Sequence, residues 1–162
     1  MPQLSTSTRT IEEFLRKKKG TTSSSEAFRH KWEERKDRYI LEVNRLFQQI
    51  EEWIDKLKES GPVNYRYGKP TLIYGESVDP YEVPVLEVFL ADQLVVFRPV
   101  GTKILGGVGR VDIFGKYEAH LVMPEWGKWQ FWWKKYDPIG DKPYTEFTEW
   151  GFKEVLLMLV DG

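Results

Sequence analysis

The 162-residue chain contains no cysteine and only two histidines, His30 and His120. The missing cysteines exclude disulfide bonds, thiolate nucleophiles and cysteine-ligated zinc sites. His120 has only Asp112 and Glu118 as candidate metal-site companions, a weak set. His30 lies four residues from both Glu26 and Glu34 and could ligate a metal with them, but we expect these residues to form a solvated helix face. We therefore expect no metal site and no cofactor.

Long apolar runs and an excess of one charge are missing as well. No segment approaches the roughly 20 apolar residues that a membrane-spanning helix needs, and the N-terminus lacks the apolar core of a signal peptide. The 24 basic and 25 acidic side chains leave a net charge of −1, which argues against a general binder of nucleic acids or membranes. We expect a soluble, cytoplasmic protein that binds no membrane.

Residues 1–25 have the composition of a polar arm, since ten of them are serine or threonine. Thr10 and Glu13 have the spacing of a capping box, which predicts a short helix that ends at Gly20. The basic run at residues 16–19 would then occupy its last turn, where cations suit the helix dipole. We expect residues 1–25 to form a flexible arm that contains this short helix.

The strongest periodic signal predicts a helix over residues 26–59. Its apolar residues recur at heptad spacing over about three heptads. They form a stripe of three columns: Val43, Ile50 and Leu57; Tyr39, Leu46 and Trp53; and Ile40, Phe47 and Ile54. A stripe of this width is typical of a helix that packs on a sheet or on several helices.

From residue 63 onward the apolar period changes to two, which predicts β-strands. The predicted strands are residues 63–67, 71–74, 85–90, 94–98, 103–105, 110–114, 118–123 and 128–134. A C-terminal helix is predicted over residues 145–160. We therefore expect an α+β fold in which residues 26–162 form one domain. Its long amphipathic helix packs on a mainly antiparallel, twisted sheet, or partly closed barrel, of six to eight strands that spans residues 63–135.

The hairpin around residue 115 has two alternative registers. A two-residue turn would place Val111 and Ile113 on the same face as His120, whereas a three-residue loop over residues 115–117 separates apolar from polar side chains. We expect the three-residue loop. It places Asp112 opposite His120 on the outer side of the sheet.

Aromatic residues are concentrated in residues 126–136, which hold four of the seven tryptophans and three lysines. In an extended strand Trp129, Phe131 and Trp133 share one face, which we expect to be buried. Trp132 points to the other face together with Lys128 and Lys134. A ring between cations is typical of surfaces that stack nucleobases and of protein interfaces. The alternative is that the long helix or a loop covers Trp132.

Residues 101–109 contain four glycines, a composition that suggests a phosphate-binding loop. The segment lacks the Gly-Lys-Ser/Thr ending of a P-loop, and it leads into a strand instead of a helix. A tight connection between strands explains the glycines equally well. Arg98, Lys103 and Arg110 flank the segment, so an anion site at this position stays an open alternative.

These patterns lead to three hypotheses of function. The first is a non-catalytic protein-interaction or assembly module that acts through its long helix and aromatic surface, with a partner protein or a second copy on the helix stripe. The second is a single-stranded nucleic-acid binder. Its predicted ligand-binding residues are Trp132, Lys128, Lys134, Arg98 and Arg110.

The third hypothesis is an enzyme in which Asp112 orients His120 as a general base. The sequence offers no nucleophile for such a pair, because cysteine is absent and no Gly-x-Ser-x-Gly motif occurs. A cross-strand ion pair accounts for the two residues as well. We therefore assign no catalytic residue and expect a binding protein.

Overall fold

The computed structural model describes residues 10–13, 15, 22–76, 79–102, 107–125, 127–133 and 144–161. Residues 11–13 and 15 are helical, and the amide of Glu13 donates a hydrogen bond to Oγ1 of Thr10 at 3.2 Å. This contact confirms Thr10 as the N-cap of the short helix in the arm. The predicted end of that helix at Gly20 lies outside the described residues.

The long helix α1 comprises Thr22–Leu57 and therefore begins four residues earlier than predicted. Its 36 residues span about 54 Å at 1.5 Å per residue. The apolar stripe is buried over the second half of the helix, where Tyr39, Val43, Ile50 and Ile54 are all 0% exposed. The stripe packs on the sheet, as its width predicts.

Seven strands form an open antiparallel sheet in the order β1-β4-β5-β6-β7-β8-β9, and β2 and β3 form a separate hairpin. The strands are β1 Val63–Tyr67, β2 Thr71–Ile73, β3 Tyr81–Val83, β4 Leu86–Leu90, β5 Gln93–Gly101, β6 Gly107–Phe114, β7 Glu118–Pro124, β8 Gln130–Trp133 and β9 Tyr144–Glu146. The C-terminal helix α2 comprises Glu149–Val160. The α+β class is confirmed, and the sheet does not close into a barrel.

The C-terminal helix begins later than predicted. Tyr144–Glu146 pair with β8 as an edge strand, so the predicted start at residue 145 was wrong. The side chain of Thr148 caps α2 by accepting a hydrogen bond from the amide of Gly151 at 3.0 Å. A Cβ atom at Gly151 would overlap the carbonyl oxygen of Glu146, which explains a glycine in the first turn.

Two strands of three residues, β3 and β9, were not predicted, because they are shorter than the roughly four to eight residues over which alternation indicates a strand. The strand predicted over residues 103–105 lies outside the described residues. Strand β8 begins at Gln130, two residues later than predicted. Lys128 therefore precedes the strand and does not continue its alternation.

The hairpin between β6 and β7 has the predicted three-residue loop. Phe114 pairs with Glu118, and Asp112 pairs with His120. The preceding hairpin, between β4 and β5, turns through two residues, and Ala91 adopts a φ of 56° there. Both turns fix the register of the strands that carry the site described below.

Both helices pack on one face of the sheet, the inner face. The ring of Phe152 in α2 lies 5.2 Å from that of Trp53 in α1 and 6.4 Å from that of Phe97 in β5. The outer face carries the alternate residues of the central strands. They are Val96, Arg98, Arg110, Asp112, Phe114, Glu118, His120, Val122, Gln130, Trp132, Tyr144 and Glu146.

Candidate functional site

A row of five side chains crosses the middle of the outer face. Antiparallel pairing places its members directly opposite one another on β5 to β9, and we call them the outer row. They are Arg98, Asp112, His120, Trp132 and Tyr144. The outer row combines two aromatic rings, a histidine, a carboxylate and a guanidinium group within one register.

Asp112 is the centre of an ion cluster on this face and is 9% exposed. Its Oδ1 atom lies 2.7 Å from Nδ1 of His120 and 2.9 Å from Nε of Arg110. The Nη2 atom of Arg110 donates to Oδ2 at 3.3 Å. Burial raises the pKa of Asp112, but the His120 hydrogen bond and the Arg110 charge outweigh burial and hold that pKa below its usual value.

His120 uses Nδ1 for Asp112, so Nε2 is the ring nitrogen that remains for another partner. Its cross-strand neighbours are Asp112, whose carboxylate is engaged by His120 and Arg110, and Trp132, whose indole is not a nucleophile. Within the described parts of the chain, no group of three or more histidine, aspartate or glutamate side chains has the arrangement of a metal site. The pair can accept or donate a proton.

Trp132 is half-buried, and its ring lies 5.6 Å from that of Tyr144 at a tilt of 31°. Because α1 packs on the inner face, the helix does not cover this tryptophan. The indole N–H of Trp132 is buried and has no acceptor among the residues that the structure describes. The two rings form an aromatic pair at the β8–β9 end of the outer row.

The structure brings together three of the five predicted ligand-binding residues. Arg98 and Trp132 belong to the outer row, and Arg110 lies beside it on the same face. Lys128 instead lines a cleft on the helix side of the sheet. Lys134 lies outside the described residues. Of the two lysines predicted to flank Trp132, Lys128 therefore does not do so, and the position of Lys134 stays a prediction.

A carboxylate of the protein itself binds at the start of the glycine-rich segment, residues 101–109. Glu76 is 4% exposed, and its carboxylate accepts hydrogen bonds from the amide of Thr102 at 2.7 Å and from the hydroxyl of Tyr81 at 2.6 Å. Tyr39 ties the same segment to α1, because its hydroxyl accepts from the amide of Gly101 at 3.0 Å. The chain's own carboxylate therefore occupies the amide of Thr102, whereas residues 103–106 of the glycine-rich segment lie outside the described residues.

The first part of α1 extends beyond the sheet, and its residues 26–31 are all exposed. Phe28 is 61% exposed and packs edge-on against Trp32, with ring centroids 6.0 Å apart. Arg35 marks where the helix meets the fold, since its Nη2 atom donates to the carbonyl oxygens of Thr102 at 2.8 Å and Gly107 at 3.1 Å. We call residues 22–34 the projecting segment.

Two members of the candidate site were missed in the sequence. Tyr144 was placed in no predicted element, because the predicted C-terminal helix began at residue 145; the structure places it in β9. Arg110 was predicted as a phosphate contact and not as the partner of Asp112. Their spacing of two residues on one strand places them on the same face, and this signal was available.

Comparison with models of known protein families, with curated proteins and with solved structures gives no match to this chain. Within the described residues, no helix has both the length and the apolar character needed to cross a membrane.

Proposed function

We propose that the protein is a non-catalytic interaction module that docks on a partner protein through the outer face of its sheet. The observation that carries this proposal is that the outer face, which neither helix covers, presents apolar and aromatic side chains beside its charged ones. Val122 lies diagonally beside Trp132 of the aromatic pair, and Val96 and Phe114 lie opposite each other on β5 and β6; all three are half-buried. Clusters of aromatic and aliphatic side chains on a surface are typical of protein interfaces.

The ion cluster suits such an interface. A charged group without a partner costs several kcal/mol when a second protein removes its water. Asp112 already has Arg110 and His120 as partners, and it is 9% exposed before any partner binds. Covering this cluster therefore costs less than covering an unpaired charge, and the surrounding apolar side chains supply the favourable contact area.

The projecting segment of α1 supplies a second contact. Its Phe28 side chain is exposed and packs against Trp32, which is half-buried. The part of the helix stripe that follows is different, because Tyr39, Leu46 and Trp53 are buried against the chain's own sheet. Self-association through that part would require the core to open, so we favour a different protein as the partner.

Single-stranded nucleic acid is the second candidate ligand, since Arg98, Arg110 and Trp132 share one face. Two observations weigh against it. The charge of Arg110 is neutralised by Asp112, and Lys128 lies on the helix side of the sheet. Phosphate recognition requires unpaired lysine or arginine side chains. They neutralise phosphates and displace the counterions of the nucleic acid, so the affinity depends on the salt concentration.

An enzyme is the third candidate, based on the Asp112–His120 pair alone. The pair has the geometry of an oriented base, with Oδ1 and Nδ1 2.7 Å apart. The carboxylate of Asp112 is already engaged by His120 and Arg110. A structural ion pair explains the contact without any chemistry.

The proposal is tested by quantitative affinity capture with three baits from cells that express the protein. The wild type is compared with the double variant Val122→Asp/Trp132→Ala on the outer face and with Trp150→Ala. Trp150 is 70% exposed on α2 and serves as a matched control. Circular dichroism and urea unfolding verify that all three baits are folded.

We expect a set of proteins that the wild type and Trp150→Ala retain equally and that the outer-face variant loses. Direct binding of the purified partner should reproduce this order. Equal retention by all three baits would remove the outer face as the docking surface. Capture that disappears after nuclease treatment, together with salt-dependent binding of a labelled oligonucleotide, would establish the nucleic-acid function instead.

A further inference from the structure

A cleft of about 240 Å³ opens on the helix side of the sheet, between α1 and the β7–β8 end. Trp53 and Phe147 line it with rings 4.8 Å apart, and Met123 and Trp129 complete its apolar wall. Drug-sized sites have volumes of roughly 300–1,000 Å³. This cleft therefore has room for one planar ring with a short substituent.

Among the described residues, the rim of the cleft carries one cation without an ion-pair partner, Lys128. Glu42 and Arg45 form an ion pair at 3.1 Å and neutralise each other. Lys128 lines the same cleft and makes no ion pair or hydrogen bond with the described residues. The local field at the rim therefore favours a ligand with a single negative charge.

Trp129 lines the cleft and is 6% exposed, and its indole N–H is buried without an acceptor in the described parts of the chain. An N–H group left in this state costs about 1–3 kcal/mol.

We infer that this cleft binds a small aromatic carboxylate, with its ring against Trp53 and Phe147 and its carboxylate beside Lys128. The aromatic walls select the ring, the volume limits its size, and the unpaired ammonium group selects the negative charge. The site is separate from the outer face, so a test of ligand binding in the cleft does not depend on the proposed docking function. No bond is made or broken, because the proposal concerns binding only.

The test uses the full-length, ¹⁵N-labelled protein and follows the indole N–H signals by NMR during titration with phenylacetate. The signals of Trp53 and Trp129 are assigned from the variants Trp53→Phe and Trp129→Phe. We expect both signals to move with a Kd of about 1 mM, as suits a small ligand in an open cleft. The signal of Trp150, which lies exposed on α2, should stay in place.

The charge is tested with Lys128→Gln and with the neutral analogue phenylacetamide. The variant should weaken phenylacetate binding by about threefold to fivefold, the effect of one exposed ion pair, and leave phenylacetamide binding unchanged. Lys116→Gln, on the hairpin loop that follows β6, is the matched control and should change neither. The inference is overturned if saturating phenylacetate leaves Trp53 and Trp129 unmoved, or if Lys128→Gln binds phenylacetate as well as the wild type does.

Discussion

The Nδ1 atom of His120 lies 2.7 Å from Oδ1 of Asp112, although the two residues are on different strands. The three-residue loop between β6 and β7 creates this contact, because it sets the register in which they are direct cross-strand partners. A turn shorter by one residue would move His120 to the inner face. The polar centre of the outer face thus depends on the length of one loop.

Replacing the buried carboxylate should destabilise the fold. Asp112→Asn keeps the size of the side chain but removes the charge that Arg110 and His120 face. We expect the free energy of unfolding to fall by about 2 kcal/mol, because the guanidinium group loses its partner on a half-buried face. Urea unfolding at neutral pH measures this change. Asp161→Asn, exposed after α2, is the control and should have little effect.

The same carboxylate should give a defined acid dependence. Its pKa in the folded state lies below its usual value, so its contribution to stability is present above the unfolded-state pKa of about 3.9 and is lost as the pH falls through the folded-state pKa. The difference in unfolding free energy between the wild type and Asp112→Asn should therefore be constant near neutral pH and shrink below about pH 4. A difference that grows in acid would contradict the sign of this shift.

The contribution of Tyr39 to stability should be lost at alkaline pH, whereas that of Asp112 is lost at acidic pH. Burial raises its pKa, and its hydroxyl donates to the carbonyl oxygen of Arg110 at 2.7 Å. Its contribution is present below the unfolded-state pKa of about 10 and is lost as the pH rises. Tyr39→Phe should cost about 2 kcal/mol at neutral pH and lose less stability than the wild type above about pH 10.

The matched control for Tyr39 is Tyr74→Phe, because Tyr74 is 66% exposed. This variant should unfold like the wild type at neutral pH. Equal losses for the two tyrosine variants would show that the buried hydroxyl of Tyr39 contributes nothing specific.

Close packing between α1 and the sheet predicts a severe effect at Gly109. A Cβ atom at this position would overlap the ring of Tyr39. Gly109→Ala should therefore lower the unfolding free energy by about 3 kcal/mol, the upper range for overpacking. At Gly61 a Cβ atom would have no neighbour within 4 Å, so Gly61→Ala should be close to neutral in the same urea unfolding experiment.

Much of the fold could be predicted from periodicity. The stripe of α1 repeats over three heptads, and a pattern of that length survives errors at individual positions. The register of the β6–β7 hairpin was predictable because one alternative would have placed His120 on the same face as Val111. Both signals come from the separation of apolar and polar side chains, which the core enforces.

The contacts at the candidate sites were less predictable. Glu76 reaches the amide of Thr102 across 26 residues of chain, and no local pattern indicates such a pairing. Trp129 and Lys128 were assigned to opposite faces of one strand, but β8 begins after them, and both line the same cleft. Strand ends are set by tertiary packing, which the alternation of residues does not report.

Oxidative footprinting inside cells and on the purified protein tests the docking claim most directly, because it does not require the partner to be identified. It compares the labelling of Phe114, Trp132 and Tyr144 on the outer face with that of Trp150 on α2. We predict protection of the outer-face residues in cells, unchanged by nuclease treatment, and equal labelling of Trp150 in both samples. Equal labelling of the outer-face residues in the two samples would contradict the account.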